Sequence, residues 1–195
     1  KNNMASFRIE GGHKLSGEIT PQGAKNEALQ VICACLLTKE EVIIDNIPHI
    51  ADIVQLIDLM QKMGVEVKEI NRNKYSFKAQ NIDLDYIGSA DYNKRCTSLR
   101  GSVMLLGPIL SRFKSAILPQ PGGDKIGRRH LDTHFQGFSK LGATFNYDTE
   151  NSLYRITAEE LKGTYMLLDE ASVTGTANII MAAVLAEGKT TIYNA

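Results

Sequence analysis

The sequence predicts part of an inside-out α/β barrel, made of repeated units with buried helices and outer sheets. Three observations carry that expectation. The chain repeats itself at an offset of 74 residues (44 to 118 to 192): Leu37–Asn46, Ser111–Gln120 and Leu185–Asn194 each read as a turn followed by a short β-branched or apolar strand. Before each strand lies a stretch that is apolar nearly all round and rich in Ala, Gly, Ser and Leu: Asn26–Leu36, Arg100–Leu110 and Thr174–Val184. A helix without a polar face belongs in an interior, and small side chains let such helices pack closely. Finally, 195 residues at 43% hydrophobic and 23% charged suffice for one domain with a sizeable core.

The remaining elements follow in order. After its strand, copy one carries an amphipathic helix, Asp52–Met63, with Ile53, Leu56, Ile57, Met60 and Met63 inward. Copy two carries its counterpart, Leu131–Leu141, with Leu131, Phe135, Phe138 and Leu141 on one face. Gly64 and Gly142 stand where helix C-caps are expected. Paired strands come next, Val65–Ile70 with Tyr75–Ala79, then Ala143–Tyr147 with Tyr154–Ala158. From Gly64 to Gly142 is 78 residues, so copy two holds four more than the period, in the segment around Asp124. An insertion on a repeat tends to lie on a functional face. Copy three reaches only its strand by Ala195, so the sequence reads as two full repeats and half of a third.

Composition excludes several classes of function. Twenty-two basic and 22 acidic residues give no net charge, which argues against generic nucleic-acid binding. No apolar run approaches the roughly 20 residues of a membrane span, and the start of the chain has no apolar export signal, so the expected location is cytoplasmic. Cys33, Cys35 and Cys96 are an odd set, read as free thiols in a reducing compartment. Cys33 and Cys35 fall on different faces of a helix and make a poor metal pair, so neither metal nor cofactor is expected.

The charge is unevenly spread. Between Lys94 and His130 stand eight Lys or Arg and a single acid, Asp124. Within that span, Gln120–His134 combines Pro121, Gly122, Gly123 and Gly127 with Lys125, Arg128, Arg129 and His130. Its backbone is free to approach a ligand closely, and its cations favour an anionic one. The bland alternative is a solvated basic segment with no ligand. The repeat also places Asn26, Arg100 and Thr174 at equivalent helix starts, with Lys25 before the first and Ser172-Val173 before the third. Free N–H groups and the helix dipole attract anions there, so three such ends beside the cationic segment suit one anion pocket. Against this, Ser172 and Asn26 need be no more than N-caps. His130 and His134 lack the glutamate of a zinc-protease helix and read as loop and surface residues. Gly122-Gly123 lacks the Lys-Ser/Thr of a phosphate-binding loop, which removes support for nucleotide hydrolysis.

Four ordered motifs carry a resemblance: Gly23-Ala24-Lys25-Asn26-Glu27-Ala28-Leu29; Leu99-Arg100-Gly101-Ser102 with Leu106-Gly107-Pro108; Pro121 to Arg129; and Ser172-Val173-Thr174-Gly175-Thr176. Together they resemble the UDP-N-acetylglucosamine enolpyruvyl transferases, nearly continuously from Met4 to Ala195, over the N-terminal part of a family chain a little over twice as long. The resemblance implies transfer of enolpyruvyl from phosphoenolpyruvate to the sugar 3-hydroxyl, with release of phosphate, in peptidoglycan synthesis. By carry-over, Asp124 on the mobile loop and Lys25 are catalytic. Lys25, Arg100 and Arg129 hold phosphoenolpyruvate, with Arg100 also near the sugar nucleotide, and Asn26 is a further substrate-binding residue. Arg129, His130, Leu131, Asp132 and Thr133, with Glu170, Ala171, Ser172 and Val173, hold uridine and diphosphate.

The resemblance also implies that residues 1–22 are leading strands joined to a second, C-terminal domain, with 23–195 an incomplete first domain and Lys25 at the hinge. That second domain would complete the site, leaving this chain inactive alone. Two departures stand out. Asp124 replaces the more frequent cysteine, which implies resistance to the epoxide fosfomycin, and Glu170 stands where the common pattern has lysine, which speaks against a direct phosphate contact there. The alternatives are the shikimate-pathway sibling and a non-catalytic sugar-nucleotide-binding module. No arginine follows Lys25 until Arg72, which argues against the sibling.

Overall fold

The computed structural model of the chain describes residues 6–119 and 131–195. Copy one comprises helix α1 (Lys25–Ala34), strand β1 (Glu41–Ile44), helix α2 (Ala51–Lys62) and strands β2 (Glu66–Asn71) and β3 (Lys74–Lys78). Copy two comprises helix α3 (Ala90–Ser98), a 3₁₀ segment Arg100–Leu105, helix α4 (Leu106–Phe113), strand β4 (Ser115–Pro119), helix α5 (Asp132–Lys140) and strands β5 (Thr144–Asp148) and β6 (Leu153–Thr157). Strand β7 (Tyr165–Leu167), helix α6 (Val173–Ala183) and strand β8 (Thr191–Tyr193) form the third.

The two complete copies build the same sheet. Its order is β1-β3-β2 in one and β4-β6-β5 in the other, antiparallel throughout. Val42 faces Phe77 in the first sheet, and Ala116, 74 residues on, faces Ile156 in the second. Both amphipathic helices end alike: Gly64 (φ +94°) and Gly142 (φ +103°) take the left-handed conformation, and the next residues, Val65 and Ala143, donate back to Met60 O and Phe138 O at 3.0 Å. Ile53, Leu56, Met60, Met63, Phe138 and Leu141 are buried as the patterning requires.

Helices fill the centre. Ile32, Leu36, Leu105, Ile109, Leu110 and Ile179 are each wholly buried in one continuous core, with Phe77, Leu118 and Ile156 entering it from the sheets. Arg112 ties copy two to copy one: its guanidinium donates to the carbonyls of Leu36 (3.0 Å), Thr38 (3.3 Å) and Ala79 (2.6 Å).

Several expectations need correction. The second inner helix is not continuous, because it opens as the 3₁₀ segment and becomes α-helical only at Leu106. Pro108 has no N–H, and its ring opposes the carbonyl four residues back, so an α-helix cannot run unbroken from Arg100. The inner helices are not covered all round: Val31 on α1, and Ile180, Val184 and Leu185 on or after α6, are exposed. Ala177–Leu185 is nevertheless more inside than out, since Asn178, Ile179, Met181 and Ala182 are buried. Residues 6–22, expected as leading strands only in company with a second domain, carry no strand and are exposed throughout. Helix α3 and strand β7 were not expected; β7 pairs with β8 in parallel.

The tightest contact between inner helices lies at Gly107. A β-carbon there would collide with the backbone carbonyl oxygen of Asn178 on α6. Gly107→Ala should therefore force α4 and α6 apart and lower the unfolding free energy by about 2 kcal/mol or more, as overpacking does. A urea titration of the two proteins checks this.

Candidate functional site

Four helix starts gather at one end of the core. Gly101, next to Arg100, lies against α1, where a β-carbon would stand 2.8 Å from Leu29 Cδ2. Gly175 in the first turn of α6 lies against the first turn of α5, where a β-carbon would stand 2.8 Å from Thr133 Cγ2. Asn178, one turn further along α6, links α5 to the 3₁₀ segment and α4. Its Oδ1 accepts from Gly107 N–H at 2.8 Å, while its Nδ2 lies 2.9 Å from Val103 O and 3.0 Å from His134 Nδ1.

The expected residues fall on this end as follows. Lys25 and Asn26 occupy the exposed first turn of α1, whose N-cap is Ala24, so Asn26 is not the cap. The Lys25 ammonium is paired with Asp52 in the first turn of α2. Arg100 is half-buried at the head of the 3₁₀ segment. Ser172 is the N-cap of α6, its hydroxyl accepting from Gly175 N–H at 3.1 Å, with Ala171 and Val173 exposed beside it. Thr133 is buried and donates to Glu170 Oε1 at 3.1 Å, which joins the start of α5 to the segment leading into α6. Glu170 thus has a protein partner, and Leu131 and Asp132 begin α5 beside it. Asp124, Lys125, Arg128, Arg129 and His130 lie outside the described residues.

His134 is the residue that the sequence reading misplaced. It is no surface histidine: it is 3% exposed, on the inner face of α5. Burial, helped by the Arg100 charge, pushes its pKa down to about 4, so the ring is neutral at physiological pH. The signal for its burial lies in its place in the apolar stripe between Leu131 and Phe138, not in its four-residue spacing from His130. The three cysteines are free and buried, and burial raises all three thiols, Cys35 and Cys96 to about 12, which leaves them inert. Among the described residues no group of three or more His, Cys, Asp or Glu is placed to hold a metal ion. A cleft of about 590 Å³, lined by Lys114, Glu159, Glu160, Leu161, Leu185, Ala186 and Glu187, lies beyond the far end of α6 and includes none of the expected site residues.

Helix starts carrying Lys25, Arg100 and Ser172 are suited to an anion. Comparison with known proteins bears on which. Residues 9–195 match the EPSP synthase (3-phosphoshikimate 1-carboxyvinyltransferase) family. The chain belongs to this family. Within it, the chain is 67% identical over 98% of its length to a Bacteroides fragilis protein named UDP-N-acetylglucosamine 1-carboxyvinyltransferase, and 65% identical over the same share to one of that name from Bacteroides thetaiotaomicron. It spans 44% of the length of each. Among solved structures, the enolpyruvyl transferase NikO from Streptomyces tendae superposes over 93% of this chain and 42% of its own, with a TM-score of 0.74 at 20% identity. EPSP synthase from Acinetobacter baumannii covers 90% of this chain and 40% of its own, with a TM-score of 0.67 at 19% identity. These two likenesses establish the enolpyruvyl transferase fold. No helix among the described residues is long and apolar enough to cross a membrane.

The neutral His134 has a consequence for stability. Its pKa falls from 6.5 to about 4 on folding, so the unfolded chain binds a proton that the folded chain refuses. Stability is unaffected above the unfolded value and is lost as pH falls from there toward 4, by up to about 3 kcal/mol. Urea titrations at neutral pH and near pH 4.5 should show a larger loss for the parent protein than for His134→Gln, which lacks that titration.

Proposed function

We propose that the protein carrying this chain transfers enolpyruvyl from phosphoenolpyruvate to the 3-hydroxyl of UDP-N-acetylglucosamine, releasing phosphate, as a cytoplasmic step of peptidoglycan synthesis. The observation that carries this reading is the gathering of the Lys25, Arg100, Thr133 and Ser172 helix starts at one end of the core. The name borne by relatives 65–67% identical along this chain supports the choice of acceptor. The sugar hydroxyl adds to C2 of phosphoenolpyruvate while C3 takes a proton, giving a tetrahedral intermediate. Loss of a C3 proton and cleavage of the C2–phosphate bond then yield the enol ether and phosphate. Lys25, Arg100 and Arg129 hold the phosphate and carboxylate, and their fixed charges stabilise the charge that develops, with Asn26 a further substrate-binding residue. Asp124 donates the proton. Arg129, His130, Leu131, Asp132 and Thr133, with Glu170, Ala171, Ser172 and Val173, receive the nucleotide. Glu170 does so through Thr133, as a positioning group.

In this proposal residues 1–22 join a second, C-terminal domain that closes over the substrates, excludes water and completes the site. The full-length protein should release phosphate from phosphoenolpyruvate only when UDP-N-acetylglucosamine is present, and Arg100→Met should slow that release by roughly a hundredfold. Release supported by shikimate 3-phosphate instead, or by the 195-residue chain alone, would overturn the reading.

Asp124 adds a second test. A carboxylate is a far weaker nucleophile toward an epoxide than a thiolate, whose pKa Lys125 and Arg128 would lower. The full-length protein should therefore resist fosfomycin, whereas Asp124→Cys should keep activity and gain time-dependent inhibition. Intact-protein mass spectrometry should find the adduct on the Cys variant only.

A further inference from the structure

The start of α1 is held against the start of α2 by two contacts of different kinds. Gly23, two residues before α1, lies against the connection from β1 to α2. A β-carbon there would overlap the backbone carbonyl oxygen of Asn46 and stand 3.1 Å from Pro48 Cδ. The missing side chain thus lets one backbone segment rest on the other. The second contact is ionic. Lys25, the first residue of α1, pairs with Asp52, the second residue of α2.

The two partners are not equally settled. Helix α2 follows Ile50 and has no side-chain cap, and Asp52 is the acid in its first turn. Free N–H groups and the helix dipole favour a negative charge there. The carboxylate is therefore held by its own helix whether or not Lys25 stands beside it. Lys25 occupies the same end of α1, where the dipole favours an anion and disfavours a cation. Its ammonium moves on a flexible stem. The two side chains are 46% and 40% exposed, so the pair is open to exchange.

We propose that Asp52 is a positioning residue, a standing counter-ion for Lys25. An incoming phosphate group takes the ammonium from Asp52, and Asp52 takes it back when phosphate leaves. The inference rests on the reading of Lys25 as a ligand of the phosphoenolpyruvate phosphate. Anion and carboxylate compete for one ammonium and repel each other, so Asp52 loosens the hold on phosphate in substrate and product alike. The benefit is release, because a site of helix starts and cations alone would retain the phosphate it has just cleaved. Asp52 acts through Lys25 and does not bind the ligand.

The test uses the full-length protein, titrated calorimetrically at low ionic strength with inorganic phosphate and with phosphoenolpyruvate. Asp52→Asn keeps the shape of the side chain, removes its charge and should tighten both by about fivefold. Asp52→Glu restores the charge and should return both affinities to within about twofold of the parent. Asp45→Asn removes the carboxylate paired with Lys74 at the start of the same connection, and should alter neither by more than about twofold. Lys25→Met should weaken both, and added salt should narrow the gap between Asp52→Asn and the parent. If Asp52→Asn binds phosphate no more tightly while Lys25→Met weakens it, the counter-ion proposal fails and the reading of Lys25 stands. Tightening by Asp45→Asn as large as that by Asp52→Asn also overturns the proposal, since charge anywhere nearby would suffice. Phosphate binding that Lys25→Met leaves intact removes the reading of Lys25 and the proposal with it. Turnover is not among the readouts, so a protein that passes these tests yet releases no phosphate from phosphoenolpyruvate would refute the transferase reading alone.

Discussion

Helices α4 and α6 approach until backbone meets backbone, and the rest of the domain is arranged around that contact. It needs a residue without a side chain at Gly107 and an amide at Asn178 that serves the polar groups the contact traps. Gly137 on α5 leaves room for the side chain of Ile179, so α5 too is seated closely on α6. Interiors at crystal-like density transmit such fits over several residues. The start of each inner helix is therefore fixed relative to the others by packing deep in the core, and the exposed residues at those starts inherit their spacing from it.

Much of the fold was legible in the sequence because both of its signals are periodic. The 74-residue repeat located the strands and the two amphipathic helices to within a residue or two, and Gly64 and Gly142 marked helix ends whose geometry only glycine adopts easily. What was not legible depended on neighbours far along the chain. A hydrophobic pattern says that Ile180 is apolar, but not that its side of α6 lies open. The break before Leu106, by contrast, follows locally from Pro108.

The site was legible in its cations and its helix starts, and illegible in its buried polar groups. Lys25, Arg100 and Ser172 stand out because charge and capping residues are uncommon in apolar runs. His134 and Asn178 do not, since a lone polar residue in an apolar stripe has many meanings until its partners are known. Asp52 was likewise read only as a helix start, whereas in the folded chain it is the counter-ion of Lys25. Both are exposed, so the pair is worth little by itself, about 1 kcal/mol or less, but an arriving anion meets an ammonium that already has a carboxylate partner.

Arg112 bears on the order in which the chain acquires its structure during synthesis. Copy one ends near residue 79, and the carbonyls of Leu36, Thr38 and Ala79 receive the guanidinium of a residue 33 to 76 positions further on. A nascent chain that has only just exposed copy one holds three carbonyls still bonded to water and Leu36 without the cover of α4. Docking therefore waits for the ribosome to deliver α4, and the first two repeats lock together as a single cooperative unit rather than as beads added one at a time.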